Sequence, residues 1–168
     1  EQQNCSTSNS EGNFTFLITD TGNEVEKIFL RDKKINYCTG CSTCSLHHKP
    51  CPQKDDATEI IDKMVAADVI VMATPVYFYT MSAQMKTLID RCCGLYTEMN
   101  DKEFYFIITA AEDDKEKMMR TVDTFQGFLD CLENPTIKGV IFGLGVWHVG
   151  EIKGNPAMQE AYETGKRV

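Results

Sequence analysis

The sequence predicts a three-layer α/β domain, a parallel sheet covered by helices, on three observations. Continuous apolar runs stand at Val69 to Ala73 (VIVMA), Phe104 to Ile108 (FYFII) and Val140 to Phe142 (VIF). Such runs, lacking polar alternation, are what strands buried on both faces produce. Between them apolar residues recur at helical spacing, so strand and helix alternate and close into parallel neighbours through right-handed crossovers. The length of 168 residues and a hydrophobic content of 42% suit one domain over 1–168 and leave little room for a second.

In chain order, EVEKIFL at Glu24 to Leu30 reads as a strand. Asp56 to Ala66 reads as a helix in which Asp56 and Glu59 have capping-box spacing. The VIVMA strand is followed by a stripe of Met81, Met85, Leu88, Ile89 and Cys92. The FYFII strand is followed by a stripe of Met118, Val122, Phe125, Phe128, Leu129 and Leu132. The acidic run Glu112 to Glu116 suits the amino end of that second helix through its dipole. After the VIF strand, Asn155 and Pro156 open a last helix that Gly165 closes. No repeat, linker or low-complexity tract interrupts the series.

The formal net charge of -8 argues against nucleic acid or anionic lipid as the main partner, since phosphates are repelled. Backbone amides still suffice for a small polyanionic cofactor. The weakly polar run Val69 to Met85 is broken by Pro75 and too short to span a bilayer. The amino end EQQNCSTSNSEGN has neither the basic head nor the apolar core of a secretory signal, so the expected location is the cytoplasm. Four of the eight cysteines crowd into a loop at 38–51, which in a reducing compartment points to metal or redox use.

In a parallel sheet the ligand lies beyond the carboxyl ends of the strands. There Thr74 and Pro75 read as a stiff loop whose amides face a planar ring, and Val76, Tyr77 and Phe78 add apolar and aromatic surface. One such aromatic is usually packed on its own core, but three strand-end loops together point to a site. Near the amino end, Thr7, Ser8, Ser10 and Asn13 around Gly12 offer hydroxyls and amides to a phosphate, although a solvated turn has the same composition. The sharpest motif is CTGCSTCSLHHKPCP, with Cys38, Cys41, Cys44 and Cys51 spaced C-x2-C-x2-C-x6-C before a proline. Three thiolates in seven residues and a remote fourth suit a four-iron four-sulfur cluster. A thiol loop without metal, or zinc with His47 and His48 nearby, are the other uses. Cys92 and Cys93 read as packing residues, Cys131 as a helix-end thiol, Cys5 as terminal, and His148 beside Trp147 as a rim residue.

These stretches resemble the flavodoxin-like family of NAD(P)H-dependent FMN reductases and, within it, the iron-sulfur flavoproteins. The likeness runs from about Ser6 to the carboxyl end. It rests on LRDKKINYCTGCSTC, ADVIVMATPVYFYTMSAQMKTLIDR and GVWHVGEIKGNPAMQEAYETGK. It implies a five-stranded parallel sheet in the order 2-1-3-4-5 with helices on both faces. It implies FMN at the strand ends, with Pro75, Val76, Tyr77 and Phe78 bordering the ring and Thr109, Ala110 and Ala111 along its other edge. The family's Ser- and Asn-rich first loop matches STSNSEGNF. There the chain departs from the family: no apolar strand precedes the loop, Phe14 replaces a threonine, and the helix after it is about two turns short. Either residues are missing, or FTFLIT at 14–19 replaces the first strand with DTGN as its loop. Missing residues are expected, because EVEKIFLRD keeps family register and a parallel neighbour needs a crossover of a dozen residues.

The implied activity is hydride transfer from NAD(P)H to FMN, with electrons then passed to an acceptor, singly if a 4Fe-4S cluster is present. A non-catalytic flavoprotein reduced by a ferredoxin-like carrier is the second reading, and a zinc-stapled interaction domain without flavin the third. A flavin carries its own chemistry, which suits the lack of a Ser-His-Asp or carboxylate pair in a convincing context. The resemblance also implies a homodimer or homotetramer in which one subunit's cysteine loop approaches another's flavin.

Overall fold

A computed structural model describes residues 22–168. Its strands are β1 (Val69–Tyr77), β2 (Thr80–Met81), β3 (Glu103–Thr109) and β4 (Thr136–Gly143), and its helices α1 (Thr43–His47), α2 (Ala57–Ala66), α3 (Ala83–Arg91), α4 (Lys115–Leu129) and α5 (Pro156–Gly165). The sheet order is β2-β1-β3-β4. β1, β3 and β4 are parallel, whereas β2 is the short antiparallel return of a hairpin on β1. Four strands are therefore described rather than five.

Both apolar stripes become buried helix faces. Ile70, Met72, Phe104, Phe106 and Ile108 on one side of the sheet pack under Ile60, Ile61, Met64, Met85, Leu88, Val122, Phe125 and Leu129 of α2, α3 and α4. The Phe106 and Phe125 rings stack with centroids 4.5 Å apart. On the other side Tyr105, Ile107 and Ile141 pack against Ala157 and Ala161 of α5. Helices thus cover both sides in three layers, as the sequence predicts. The helix starts hold as well: Asp114 accepts the Glu116 amide (3.0 Å), and Asn155 accepts that of Ala157 (3.0 Å) ahead of Pro156.

Four expectations need correction. Over Glu24 to Leu30 no strand pairing is found among the described residues, and Leu30–Asp32 closes into a 3-10 turn. Of the three apolar runs only β3 is buried along both faces; β4 is the outer strand of the described sheet, which leaves Val140 and Phe142 half-buried. Pro75 lies inside β1, not in a loop, since the strand runs on to Tyr77 before turning. The Asp56–Glu59 capping box does not form. Asp55 instead accepts the Ala57 amide (3.1 Å), while the Asp56 carboxylate turns to the Lys34 amide (2.6 Å). No helix among the described residues is long and apolar enough to cross a membrane.

Candidate functional site

Register alone builds a rim at the carboxyl ends of the strands. Pro75 is level with Thr109, and Thr109 with Gly143, so three strand ends stand abreast. Gly143 permits close packing there, since a Cβ at that position would lie 2.8 Å from Ile152 Cδ1 and 3.1 Å from Thr109 Cγ2. The segment after β4 folds back on the one after β3: Val146 donates to the Ala110 carbonyl (3.0 Å) and Gly145 to that of Glu112 (3.2 Å). Thr109 and Ala110 are buried and Ala111 is exposed. Behind Pro75, the buried Thr74 hydroxyl donates to the Pro75 carbonyl (2.8 Å) and accepts from the Ser82 amide (2.9 Å), coupling β1 to the cap of α3.

The rim's outer surface is apolar. Tyr77 is half-buried, which raises its phenol above the ordinary value, while Phe78 is fully exposed. Phe78 and Tyr79 form the hairpin tip with φ of 49° and 64°, the left-handed region that non-glycine residues avoid. Tyr79 is anchored: its hydroxyl donates to Glu112 (3.4 Å), its carbonyl accepts from Thr121 (3.1 Å), and Arg120 lies 5.4 Å from its ring. Lys117 holds Glu112 below the usual carboxylate range. Opposite, Glu151 accepts the amides of Trp147 (2.6 Å) and His148 (2.7 Å), fixing the loop that exposes Trp147. Pro75, Val76, Tyr77, Phe78, Thr109, Ala110 and Ala111 are thus brought to one edge. The phosphate-loop residues Thr7, Ser8, Ser10 and Asn13 lie outside the described residues.

The cysteine loop is built differently. Its neck is stitched by Asn36 donating to Asp55 (2.9 Å), Asp56 donating to the Lys34 carbonyl (3.0 Å) and Gln53 donating to the Tyr37 carbonyl (3.2 Å). Its far side docks on Gly94, where a Cβ would collide with the Lys49 carbonyl and lie 2.8 Å from Cys44 Cβ. Cys38 and Cys41 are exposed, Cys51 half-buried and Cys44 buried. Donors face the sulfurs. Gly40 N–H lies 3.5 Å from Cys38 Sγ. Hydrogen bonds from Thr43 and then Thr39 lower the Cys41 thiol. Burial raises that of Cys44 against the Ser45 amide, with Cys51 and Cys93 adding to the rise.

These sulfurs and their donors suit a thiolate-held group in chemistry. Their positions do not yet converge, for no three Cys, His, Asp or Glu side chains among the described residues stand close enough to hold a metal ion. Cys92 is inert as expected, buried, with its thiol pushed up to about 12. Sequence reasoning missed Cys93 as a neighbour of Cys44, and missed Arg91 and Asp55 altogether. An arginine ending an amphipathic helix reads as a dipole partner, and nothing local announces that it points inward.

Comparison with known proteins decides the family. A family model described as NADPH-dependent FMN reductase matches residues 13–148. The chain belongs to this family. It is similar to an iron-sulfur flavoprotein of Archaeoglobus fulgidus (47% identity over 74 residues, 44% of this chain and 33% of the relative). It is equally similar to one of Methanocaldococcus jannaschii (47% over 88 residues, 48% of this chain and 45% of the relative). The chain thus matches between a third and just under half the length of these relatives. In fold, this FMN reductase family chain is like the NAD(P)H:quinone oxidoreductase from Methanothermobacter marburgensis, with a TM-score of 0.70 at 14% identity over 96% of this chain and 88% of that one. This supports the flavodoxin-like α/β architecture.

Proposed function

We propose that this chain is the flavin-holding part of an FMN-dependent oxidoreductase that takes hydride from NAD(P)H and releases electrons through a 4Fe-4S cluster on Cys38, Cys41, Cys44 and Cys51. The observation that carries the reading is the alignment of Pro75, Thr109 and Gly143 at one sheet edge, with the apolar Val76–Phe78 segment beside them, in a chain of this family. Bound FMN supplies acceptance of an electron pair and release of single electrons. The chain's own work is to position and shield. Val76 and Tyr77 present backbone and half-buried side chains along one edge of the ring, and Thr109, Ala110 and Ala111 line the other. Thr7, Ser8, Ser10 and Asn13 take the phosphate, and Phe78 limits water at the nicotinamide side.

The same reading carries a single domain over 1–168, a completed sheet of order 2-1-3-4-5, a cytoplasmic location and a homo-oligomer. Packing of Val25 on one sheet face and Ile28 on the other supports the sheet order, because alternate residues of a strand face opposite sides. The test is an absorption spectrum of protein purified without oxygen, before and after NADH or NADPH. The expected result is about one FMN per chain, bleached within the time of ordinary enzyme cycles. Bleaching by dithionite or reduced ferredoxin alone would identify an electron carrier instead, and folded protein that binds no FMN would defeat both.

A further inference from the structure

The tip of the rim hairpin holds an unfavourable backbone conformation and presents an aromatic ring to solvent. Phe78 and Tyr79 are its two central residues, with φ of 49° and 64°, a geometry that Asn-Gly adopts more easily than any pair of large side chains. The two are treated unequally. Phe78 is 100% exposed, so its ring rests on nothing among the described residues, whereas Tyr79 is tied down from beneath.

The inner tie is Thr121, in the middle of α4. It is 0% exposed, and its hydroxyl donates to the Tyr79 carbonyl (3.1 Å), 42 positions away. A helical threonine ordinarily turns its hydroxyl back to a carbonyl in the preceding turn of its own helix, as Thr124 does to Thr121 (2.7 Å). Thr121 sends a buried donor to a main-chain atom of the tip, and so fixes the backbone of the turn. At the surface the Tyr79 hydroxyl donates to Glu112 (3.4 Å), whose carbonyl accepts from Gly145 (3.2 Å), which links the tip to the segments after β3 and β4. Met81, two residues on, is buried in the same core as Val122 and Phe125 of α4. The turn is thus anchored at its inner residue and bare at its outer one, and an anchored turn stands its outer side chain in one direction.

We propose that Thr121 is a positioning residue for the nicotinamide: through the Tyr79 carbonyl it sets the turn that stands Phe78 out at the rim as a ready-made apolar wall. The proposal rests on the flavin reading above. A wall set before the nucleotide arrives removes the ordering that a loose tip would undergo on binding. Its loss therefore weakens nucleotide binding and leaves the limiting rate alone.

The experiment follows the bleaching of bound FMN without oxygen against NADH or NADPH concentration, in wild type, Thr121→Val, Phe78→Ala and the double variant. Thr121→Val keeps the shape of the buried side chain and removes only the donor. It should raise the half-saturating nucleotide concentration about two- to tenfold, the weight of one ordinary hydrogen bond, with FMN content and limiting rate unchanged. Phe78→Ala should do the same, and the double variant should be no weaker than Phe78→Ala, because Thr121 acts through that ring. Thr121→Ser, which restores the hydroxyl, should restore the affinity. If Thr121→Val does not fold, Tyr79→Phe, which frees the tip from Glu112 at the surface, takes its place in the same cycle. Effects that multiply in the double variant, an unchanged nucleotide dependence in either single variant, or loss of FMN from Thr121→Val overturn the proposal alone. Folded wild-type protein that binds no FMN, or whose FMN neither nucleotide bleaches, overturns the flavin reading or its hydride step and the proposal together.

Discussion

The strand-end rim and the cysteine loop lie on the same sheet scaffold but are held by opposite means. The rim takes its shape from β-ladder register, from backbone bonds such as Val146 to Ala110, and from exposed carboxylates that fix loop amides; its outward side chains, Phe78 and Trp147, are solvated. The loop takes its shape from the buried Arg91–Asp55 ion pair, from a few hydrogen bonds across its neck and from a glycine contact. A surface held by many weak backbone bonds tolerates the loss of any one. A loop whose neck centres on a desolvated pair does not, because removing either partner strands the other charge in the interior.

The largest expected effect follows directly. Asp55→Ala leaves the Arg91 guanidinium buried and unpaired, and should cost about 3–5 kcal/mol in urea unfolding. Removing Lys117, which pairs with the partly exposed Glu112 at the rim, should cost at most about 1 kcal/mol. Equal costs would erase the contrast. Acid tests the same pair. Burial opposes ionisation of Asp55, but the Arg91 hydrogen bond outweighs it and holds the carboxyl below its ordinary value of 3.8. A depressed folded value means that the stabilisation is present above pH 3.8 and is lost as pH falls through that lower folded value. Proteolysis within 38–51 should accelerate over that acid window, before the fluorescence of Trp147 at the rim changes.

Next in size is Gly94→Ala. The added methyl meets the Lys49 carbonyl and Cys44 Cβ, backbone and near-backbone atoms that do not swing aside. Overpacking of this kind costs about 1–3 kcal/mol. The cysteine loop should lift from the turn at Cys92–Gly94, so that proteolysis within 38–51 accelerates and, on the cluster reading, iron is lost, while FMN content is unchanged. Loss of both in proportion would mean that the rim and the loop are one cooperative unit.

The same contrast explains what the sequence disclosed. The β3 run Phe104 to Ile108 and the stripe Met118 to Leu129 were legible because burial imposes a period on neighbouring residues, and the caps at Asn155 and Asp114 because capping is a matter of a few adjacent atoms. The rim residues followed from strand ends. Arg91 with Asp55 is a pair 36 positions apart whose meaning arises only after the chain folds, and an arginine carries no local mark of being buried. Asp56 misled for the related reason that two adjacent aspartates compete for one cap, and a distant amide, that of Lys34, decided between them. Glu24 to Leu30 has the composition of a strand, but a strand is defined by a paired neighbour, and none stands beside it among the described residues.

The smallest expected effect is at the rim's tip. In the hairpin joining Tyr77 to Thr80 both central residues have positive φ, the geometry that favours Asn-Gly rather than two aromatics. A side chain there costs about 1–2 kcal/mol per residue. Tyr79 recovers its share through Thr121, Glu112 and Arg120, whereas Phe78 is 100% exposed and has no described contact to offset it. Phe78→Gly relieves that strain but adds backbone freedom to the unfolded chain worth about 0.5–1 kcal/mol. The protein should therefore gain up to about 1 kcal/mol. Phe78→Ala keeps the Cβ and should gain nothing. If Phe78 is retained for the ring beside it, both variants should weaken nicotinamide or FMN binding by a similar few-fold factor, so that stability separates the pair while affinity does not. Calorimetric unfolding and a flavin fluorescence titration on the two variants read these effects independently. A less stable glycine variant would show that the tip is unstrained, and unchanged affinity in both would remove Phe78 from the flavin rim.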